Sequence, residues 1–239
     1  LHRLIRRQRQ MCIRDRVMVD GKPVRKREET VILAYNKPLG LTCTASHDDP
    51  DNIFDHIKYP IRLQYVGRLD KDSQGLLLLT NDGDLSNSIQ KSVNNHEKEY
   101  RVRVNKPITD EFLTQMAAGV PILDTVTKKC RLYKIDNYSF KIIITQGLNR
   151  QIRRMCEYFG YKVVNLKRLR VINIRLGNLR PGEYRHLTKE EETELRRLVE
   201  RKEEVKTKRE EAQPDNKNEQ NVVGNKRYVS WKRETESKN

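Results

Sequence analysis

The chain has 239 residues and a formal net charge of +16, from 49 Lys+Arg against 33 Asp+Glu. A chain of this length holds one large domain or two small ones, and a balance this basic points to a polyanion, nucleic acid or an anionic membrane surface. Membrane insertion is excluded as an expectation, because no apolar stretch approaches the roughly 20 residues of a spanning helix; Cys12, Cys43, Cys130 and Cys156 form neither a C-x-x-C pair nor a zinc-spaced cluster, which reads as the reduced thiols of a cytosolic protein. Charge alone does not separate an enzyme from a basic ribosomal or chromatin protein.

Residues 1–16 are Arg-rich and fit neither helical nor strand period. The string Arg9-Gln10-Met11-Cys12-Ile13-Arg14-Asp15-Arg16 resembles a translated sequencing-adapter artefact, with a basic RNA-binding arm as the alternative. No apolar core follows these basic residues, so they are not read as a secretory signal. Val17 to Val24 reads as strand around an Asp20-Gly21 turn. Val31 to Tyr35 reads as a buried β-branched strand, ended by Asn36-Lys37-Pro38-Leu39-Gly40. Asn52 to His56 starts a short helix.

The centre of the chain is Val66-Gly67-Arg68-Leu69-Asp70-Lys71-Asp72-Ser73-Gln74-Gly75, followed by Leu76-Leu77-Leu78-Leu79-Thr80. A continuous apolar run before the Asn81-Asp82-Gly83-Asp84 turn reads as a strand buried on both faces. The polar loop is then anchored by core on either side, the way a reactive group is held rigidly. Gly67 allows close approach, Arg68 can reach phosphate or a base, and Asp70 offers a carboxylate. Taken alone, the same letters describe a strand–loop–strand with solvated charges.

Asp84 is placed to cap a helix with Leu85 and Ile89 inward. Glu99 to Val104 alternates strictly, so Tyr100, Val102 and Val104 share one face of a strand and Arg101 and Arg103 the other. Thr109 caps a helix with Phe112, Leu113, Met116 and Ala117 inward, and Gly119 stops it. One or two strands are expected over 120–135 and another over Phe140 to Thr145. Asn149 is expected to cap a helix with Ile152, Met155, Cys156 and Phe159 inward and with Arg150, Arg153, Arg154 and Glu157 on its polar face. Two strands near 161–166 and 169–176 follow. Thr188 and Glu191 form a capping box for a last helix through Leu195, Leu198 and Val199.

Three stretches line up: Gly67-Arg68-Leu69-Asp70, Lys98-Glu99-Tyr100-Arg101-Val102, and Gly147-Leu148-Asn149-Arg150-Gln151-Ile152-Arg153-Arg154-Met155. Together they resemble the pseudouridine synthases, in the bacterial ribosomal-RNA branch that includes the small-subunit enzyme A and the large-subunit enzymes B, E and F. The text around them is most like the large-subunit synthase F group. The resemblance covers about residues 17–200. It implies an α+β fold, a mixed and mostly antiparallel sheet with a central RNA-binding cleft and flanking helices. It implies isomerisation of a uridine in large-subunit ribosomal RNA, with a transfer RNA left open as a second substrate, without cofactor or metal, by a cytoplasmic monomer with no membrane partner.

By matching position, Asp70 is the family's catalytic aspartate, as nucleophile or base. Tyr100 lies where the family stacks an aromatic on the flipped uracil; its plainer reading is the first core residue of its strand. Arg153 matches the basic residue that pairs with the aspartate, and is expected to be the only arginine of its helix that reaches Asp70. Arg150 and Arg154 are expected to bind RNA. Arg68 matches a residue that fills the gap left by the extruded base, with a phosphate contact as the alternative. Flipping is required because the glycosidic bond is inaccessible in a stack.

The expected domains are a doubtful basic segment over 1–16, a remnant of a truncated S4-type RNA-binding domain over 17–29, the catalytic domain over 30–200 and a disordered charged tail over 201–239. Two other functions fit the charge: an inactive ribosome-assembly factor of the same fold, and a basic structural ribosomal protein.

Overall fold

The structure, a computed structural model, describes residues 29–91 and 95–200 in full and the backbone of residues 18–19, 22–23 and 201–211. The expectations for residues 1–16 and for the tail after residue 211 lie outside the described residues. The chain separates into two compact units, Leu1–Thr30 and Val31–Asn239. In the first, β1 (Met18–Val19) pairs antiparallel with β2 (Lys22–Pro23), with Val19 opposite Lys22 and Met18 opposite Pro23.

The second unit is built on a nine-stranded sheet. Its strands are β3 (Ile32–Lys37), β4 (Gln64–Val66), β5 (Gln74–Thr80), β6 (Lys98–Val104), β9 (Arg131–Lys134), β10 (Ser139–Ile144), β11 (Val163–Val171), β12 (Ile174–Arg175) and β13 (Tyr184–His186). The order is β13-β3-β5-β11-β6-β10-β9, with β4 also on β5 and β12 on β11. Among the described strands of this sheet, β5 and β11 pair in parallel and the other pairings are antiparallel. A separate hairpin joins β7 (Pro121–Ile122) and β8 (Thr125–Val126). The helices are α1 (Ile53–Ile57), α2 (Gly83–Gln90), α3 (Asp110–Ala118), α4 (Gln151–Tyr158) and α5 (Lys189–Glu211). This is the α+β, mostly antiparallel architecture expected from the sequence.

The leucine run shows why the centre of the sheet is apolar on both faces. Leu77 and Leu79 point into one core with Tyr100, Val102, Phe140 and residues of α3 and α4. Leu76 and Leu78 point into a second core with Ile32, Ala34, Leu85 of α2 and Leu195 of α5. All four leucines are fully buried, each stabilising the fold by about 1.5–3 kcal/mol relative to exposure.

Several boundaries differ from the sequence reading. Asp82, not Asp84, caps α2, its carboxylate accepting from the Leu85 N–H at 3.0 Å. Residues 120–135 supply three short strands rather than one or two. One continuous β11 replaces the two strands expected over 161–176, with only the two-residue β12 after it. Its register slips between Val163 and Asn165 and again between Arg168 and Arg170; such bulges reset the side-chain alternation within a single strand. Helix α5 continues to Glu211, past the point where the apolar pattern fades. Lys and Glu carry good helix propensity without an apolar stripe.

Candidate active site

The loop over residues 67–73 joins β4 to β5, which pair antiparallel with Val66 opposite Leu78. Two backbone bonds fold it: Ser73 N–H donates to the Asp70 carbonyl at 3.0 Å, and Gly40 N–H donates to the Lys71 carbonyl at 2.9 Å. Beneath it Lys37 is fully buried and donates from Nζ to the carbonyls of Ser73 at 2.9 Å and Pro38 at 3.0 Å. Burial pushes the Lys37 ammonium below its usual range and the nearby Arg168 charge adds to this, while Asp70 and Asp72 work in the opposite direction.

Where the loop enters β5, Gly75 has φ +105°, and a Cβ there would lie 2.3 Å from the Arg168 carbonyl oxygen. Only glycine fits this close crossing of two parallel strands. Arg168 is itself buried, and its Nε donates to the Leu76 carbonyl at 2.6 Å.

A cavity of about 380 Å³ opens above the loop. Arg68, Asp70, Tyr100, Arg150 and Arg168 all belong to its wall. The Asp70 side chain is 36% exposed, so its carboxylate is open to the cavity. Tyr100 is buried on the core face of β6, with Val102 and Val104 beside it and Arg101 and Arg103 facing out, as the alternation requires. Arg68 is exposed on the loop.

The arginines of the α4 region are arranged differently from the sequence expectation. Arg150 is not a helical residue. It takes the N-cap position with left-handed backbone (φ 49°, ψ 33°) and makes no side-chain cap. That conformation removes it from the helix face and aims its guanidinium across the loop. It grips Asp72 with two bonds of 2.9 and 3.2 Å and comes within 3.8 Å of the Asp70 carboxylate.

Arg153 is buried rather than on a polar face. Its Nη2 donates to the Asp72 carbonyl at 2.8 Å and to Ser73 Oγ at 3.3 Å, and lies 3.3 Å from Asp72 Oδ1, while Nη1 reaches the Val163 carbonyl at 3.4 Å. The expectation that Arg153 alone reaches Asp70 is therefore corrected: Arg150 is the arginine beside that carboxylate, and Arg153 braces the loop behind it. Arg154 lies outside the cavity and folds back on Asn149, donating to its carbonyl at 3.2 Å and its Oδ1 at 3.4 Å. Asn149 thus serves Arg154 instead of capping α4.

Asp72 is the electrostatic hinge of this cluster. Burial raises its pKa, but the Arg150 hydrogen bond and the charges of Arg153 and Arg150 outweigh that and hold the carboxyl below its usual range. Arg150 is raised in turn, first by its bond to Asp72. Asp72, Arg168 and Lys37 were not singled out as site residues in the sequence. Each acts through contacts made by residues remote in the chain, and no local pattern announces them. Among the described residues no three His, Cys, Asp or Glu side chains gather as a metal site, and no helix is long and apolar enough to cross a membrane.

The arrangement offers a carboxylate in a cationic frame and a buried aromatic ring on the wall of the same cavity. Residues 31–158 match the family described as RNA pseudouridylate synthase. The chain is 51% identical over 193 residues to the dual-specificity RNA pseudouridine synthase RluF of Salmonella typhi, covering 80% of this chain and 67% of that protein. It is 49% identical over 217 residues to the RluF of Escherichia coli O6:H1, covering 90% of this chain and 73% of that protein. The ribosomal small subunit pseudouridine synthase A of Salmonella typhimurium is 37% identical over 182 residues, covering 73% of this chain and 78% of that protein. A crystal structure of a pseudouridylate synthase superposes with a TM-score of 0.65 at 34% identity, covering 71% of this chain and 74% of that one.

Proposed function

The chain belongs to the RNA pseudouridylate synthase family, and from that premise we propose that it converts a uridine of large-subunit ribosomal RNA to pseudouridine with Asp70 as the catalytic carboxylate. The observation that carries this reading is the shared cavity: Asp70 and Tyr100, thirty positions apart in sequence, line one space of about 380 Å³ with Arg68 and Arg150. The F-group resemblance of the motifs supports the large-subunit assignment. The dual specificity printed in the names of the RluF relatives supports a second RNA substrate, for which we propose a transfer RNA. The enzyme acts as a monomer in the cytoplasm, where these RNAs reside, and its catalytic domain covers residues 30–200.

The chemistry is an isomerisation. The bond from uracil N1 to the ribose C1′ breaks, the uracil turns within the cavity, and C5 bonds to C1′. C5 then loses its proton and N1 gains one, so the reaction is redox-neutral and its atoms balance. Asp70 is positioned for the sugar, as nucleophile or as base. Tyr100 offers its ring to the extruded uracil, a contact worth roughly 1–3 kcal/mol that holds a base without reading its identity. Arg68, exposed at the mouth, takes the place vacated in the RNA stack. Arg150 sets a positive charge 3.8 Å from the Asp70 carboxylate and helps to orient it. Arg153 holds the loop's shape, and Arg154 contributes only to general phosphate attraction.

The test is release of tritium from 5-tritiated uridine in unmodified ribosomal RNA, together with a primer-extension map of pseudouridines in cells with and without the gene. Release by the purified chain and loss of one large-subunit pseudouridine in the deletion strain are expected. An inert chain, or an unchanged map, overturns the reading.

A further inference from the structure

Beside the catalytic cavity lies a larger groove of about 840 Å³, and the two meet at Tyr65 and Gln90, which belong to both walls. The groove contains no Asp or Glu in its lining, although the chain carries 33 acidic residues. Its cations are Lys58 and Arg62, both exposed. His47 stands on the rim, held 3.0 Å from Asp55.

The groove is also aromatic. Phe54 and Tyr65 are half-buried and stack on one another with centroids 6.0 Å apart and planes 22° from parallel. Tyr59 is fixed edge-on against Tyr184 at 5.7 Å, with its hydroxyl 3.3 Å from His186 Nε2. The three rings are thus held in place, partly covered on one side and open to the groove. Rings set among cations, with no carboxylate in the lining itself, form a surface for unpaired bases: the π-faces take bases of any identity, and the cations follow the backbone. A duplex keeps its base faces covered and gains nothing from such rings.

We infer that this groove is the subsite for unpaired nucleotides flanking the target uridine, an extension of the catalytic cavity that keeps the RNA single-stranded where the base is extruded. The inference rests on the proposed function, because it takes the adjoining cavity to be the place where the uridine reacts. The groove selects substrates by local structure: a uridine whose neighbours are free to unstack is accepted, and one locked in continuous helix is not.

The test measures binding by fluorescence anisotropy, with a single-stranded RNA oligonucleotide of about ten nucleotides and with a blunt RNA duplex of the same sequence. Phe54→Leu and Tyr59→Leu keep apolar bulk and remove the ring. Each is expected to weaken oligonucleotide binding about tenfold and to change duplex binding by less than about twofold. Tyr59→Phe, which keeps the ring, is expected to bind the oligonucleotide like the unaltered chain.

Should a ring variant fail to fold, the exposed pair Lys58→Gln with Arg62→Gln supplies the readout. Losing two phosphate contacts should flatten the slope of log affinity against log salt by about 1.4 for single-stranded RNA. Ring variants that bind the oligonucleotide normally, a loss that is equal for duplex, or an unchanged salt slope overturn the inference. An unaltered chain that releases no tritium defeats the proposed function instead, and the two failures are separate readings.

Discussion

Arg153 and Asp72 are joined twice: the buried guanidinium donates to the aspartate's own carbonyl at 2.8 Å and lies 3.3 Å from its carboxylate. Helix α4 is in this way bolted to the far end of the loop that carries Asp70. Arg153→Ala should therefore loosen the loop without changing which groups face the RNA. The expected result is a fall of about 10²-fold in the single-turnover rate at saturating RNA, since misplacing a reacting group by about 1 Å costs that much. RNA affinity should be nearly unchanged, and the melting temperature should drop because buried hydrogen-bond acceptors lose their partner. Arg153→Lys should recover only part of the rate, because a compact ammonium cannot span the loop and the Val163 carbonyl as the planar guanidinium does. Arg154→Ala, which removes only contacts to Asn149, is the comparison: a modest loss of affinity and a normal saturated rate.

Asp70→Asn separates chemistry from folding. The side chain is 36% exposed and its closest charged partner is 3.8 Å away, so the amide should be accommodated with a melting temperature within about 2 °C of the parent. Tritium release should fall below detection while RNA affinity stays within a few-fold. Turnover near the parent rate would remove Asp70 from the chemistry.

The Arg150–Asp72 pair makes a pH prediction. The folded-state pKa of Asp72 is depressed, burial being outweighed by the two arginines. A depressed carboxyl stabilises the fold fully above its unfolded value, near 3.9, and that contribution is lost as pH falls through the lower folded value. Urea unfolding of the parent and of Asp72→Asn, compared between pH 7 and pH 3, should give a stability gap that is constant above about pH 5 and closes below about pH 4. A gap independent of pH would show that the carboxylate's charge has no part in it. The gap itself should be modest, because the Asp72 side chain is 47% exposed and solvent screens such pairs.

Gly75→Ala tests the strand crossing. A methyl group would meet the Arg168 carbonyl oxygen at 2.3 Å in a backbone with φ +105°. Neither strand can yield without disturbing the centre of the sheet, so the cost should be about 3 kcal/mol or more. The measurement is the denaturation midpoint, with Gly67→Ala as the comparison. Gly67 also has positive φ (70°), yet its Cβ would meet no atom within 4 Å. It should therefore show only the milder cost of left-handed backbone in a non-glycine residue.

What was legible in the sequence was local. The strict alternation of Tyr100, Val102 and Val104 gave the correct inward face because one face of β6 is buried and the other wet. Thr109 and Gly119 bounded α3, and the reciprocal bonds of Thr188 and Glu191, at 3.1 and 3.2 Å, formed as their spacing requires. The motifs likewise brought Asp70, Tyr100 and Arg68 to one cavity. What was not legible depended on the backbone or on distant partners. Left-handed Arg150 cannot be read from a helical wheel, because it is not on the helix. The burial of Arg153 needs the loop of residues 67–73 beneath it, and the role of Arg168 needs a strand 92 positions away to supply the Leu76 carbonyl. The two bulges of β11 broke the period-two pattern that would have joined its halves.

The parallel pairing of β5 with β11 sets a timetable for the newly made chain. All of Arg68, Asp70, Tyr100, Arg150 and Arg153 leave the ribosome before Val163 does, yet β5 has only β3 and β4 beside it until β11 arrives to lie between it and β6. Synthesis runs at roughly 5–20 residues per second, so for some seconds every candidate reactive residue exists on a chain whose sheet is still in two halves. Pairings this distant in sequence form late, because the entropy of closing the loop must be overcome first. The loop that carries the aspartate is therefore expected to be seated on a complete sheet centre only after β11 has joined the two halves. A nascent chain emerging among ribosomal RNA should therefore be inert until β11 has taken its place between β5 and β6.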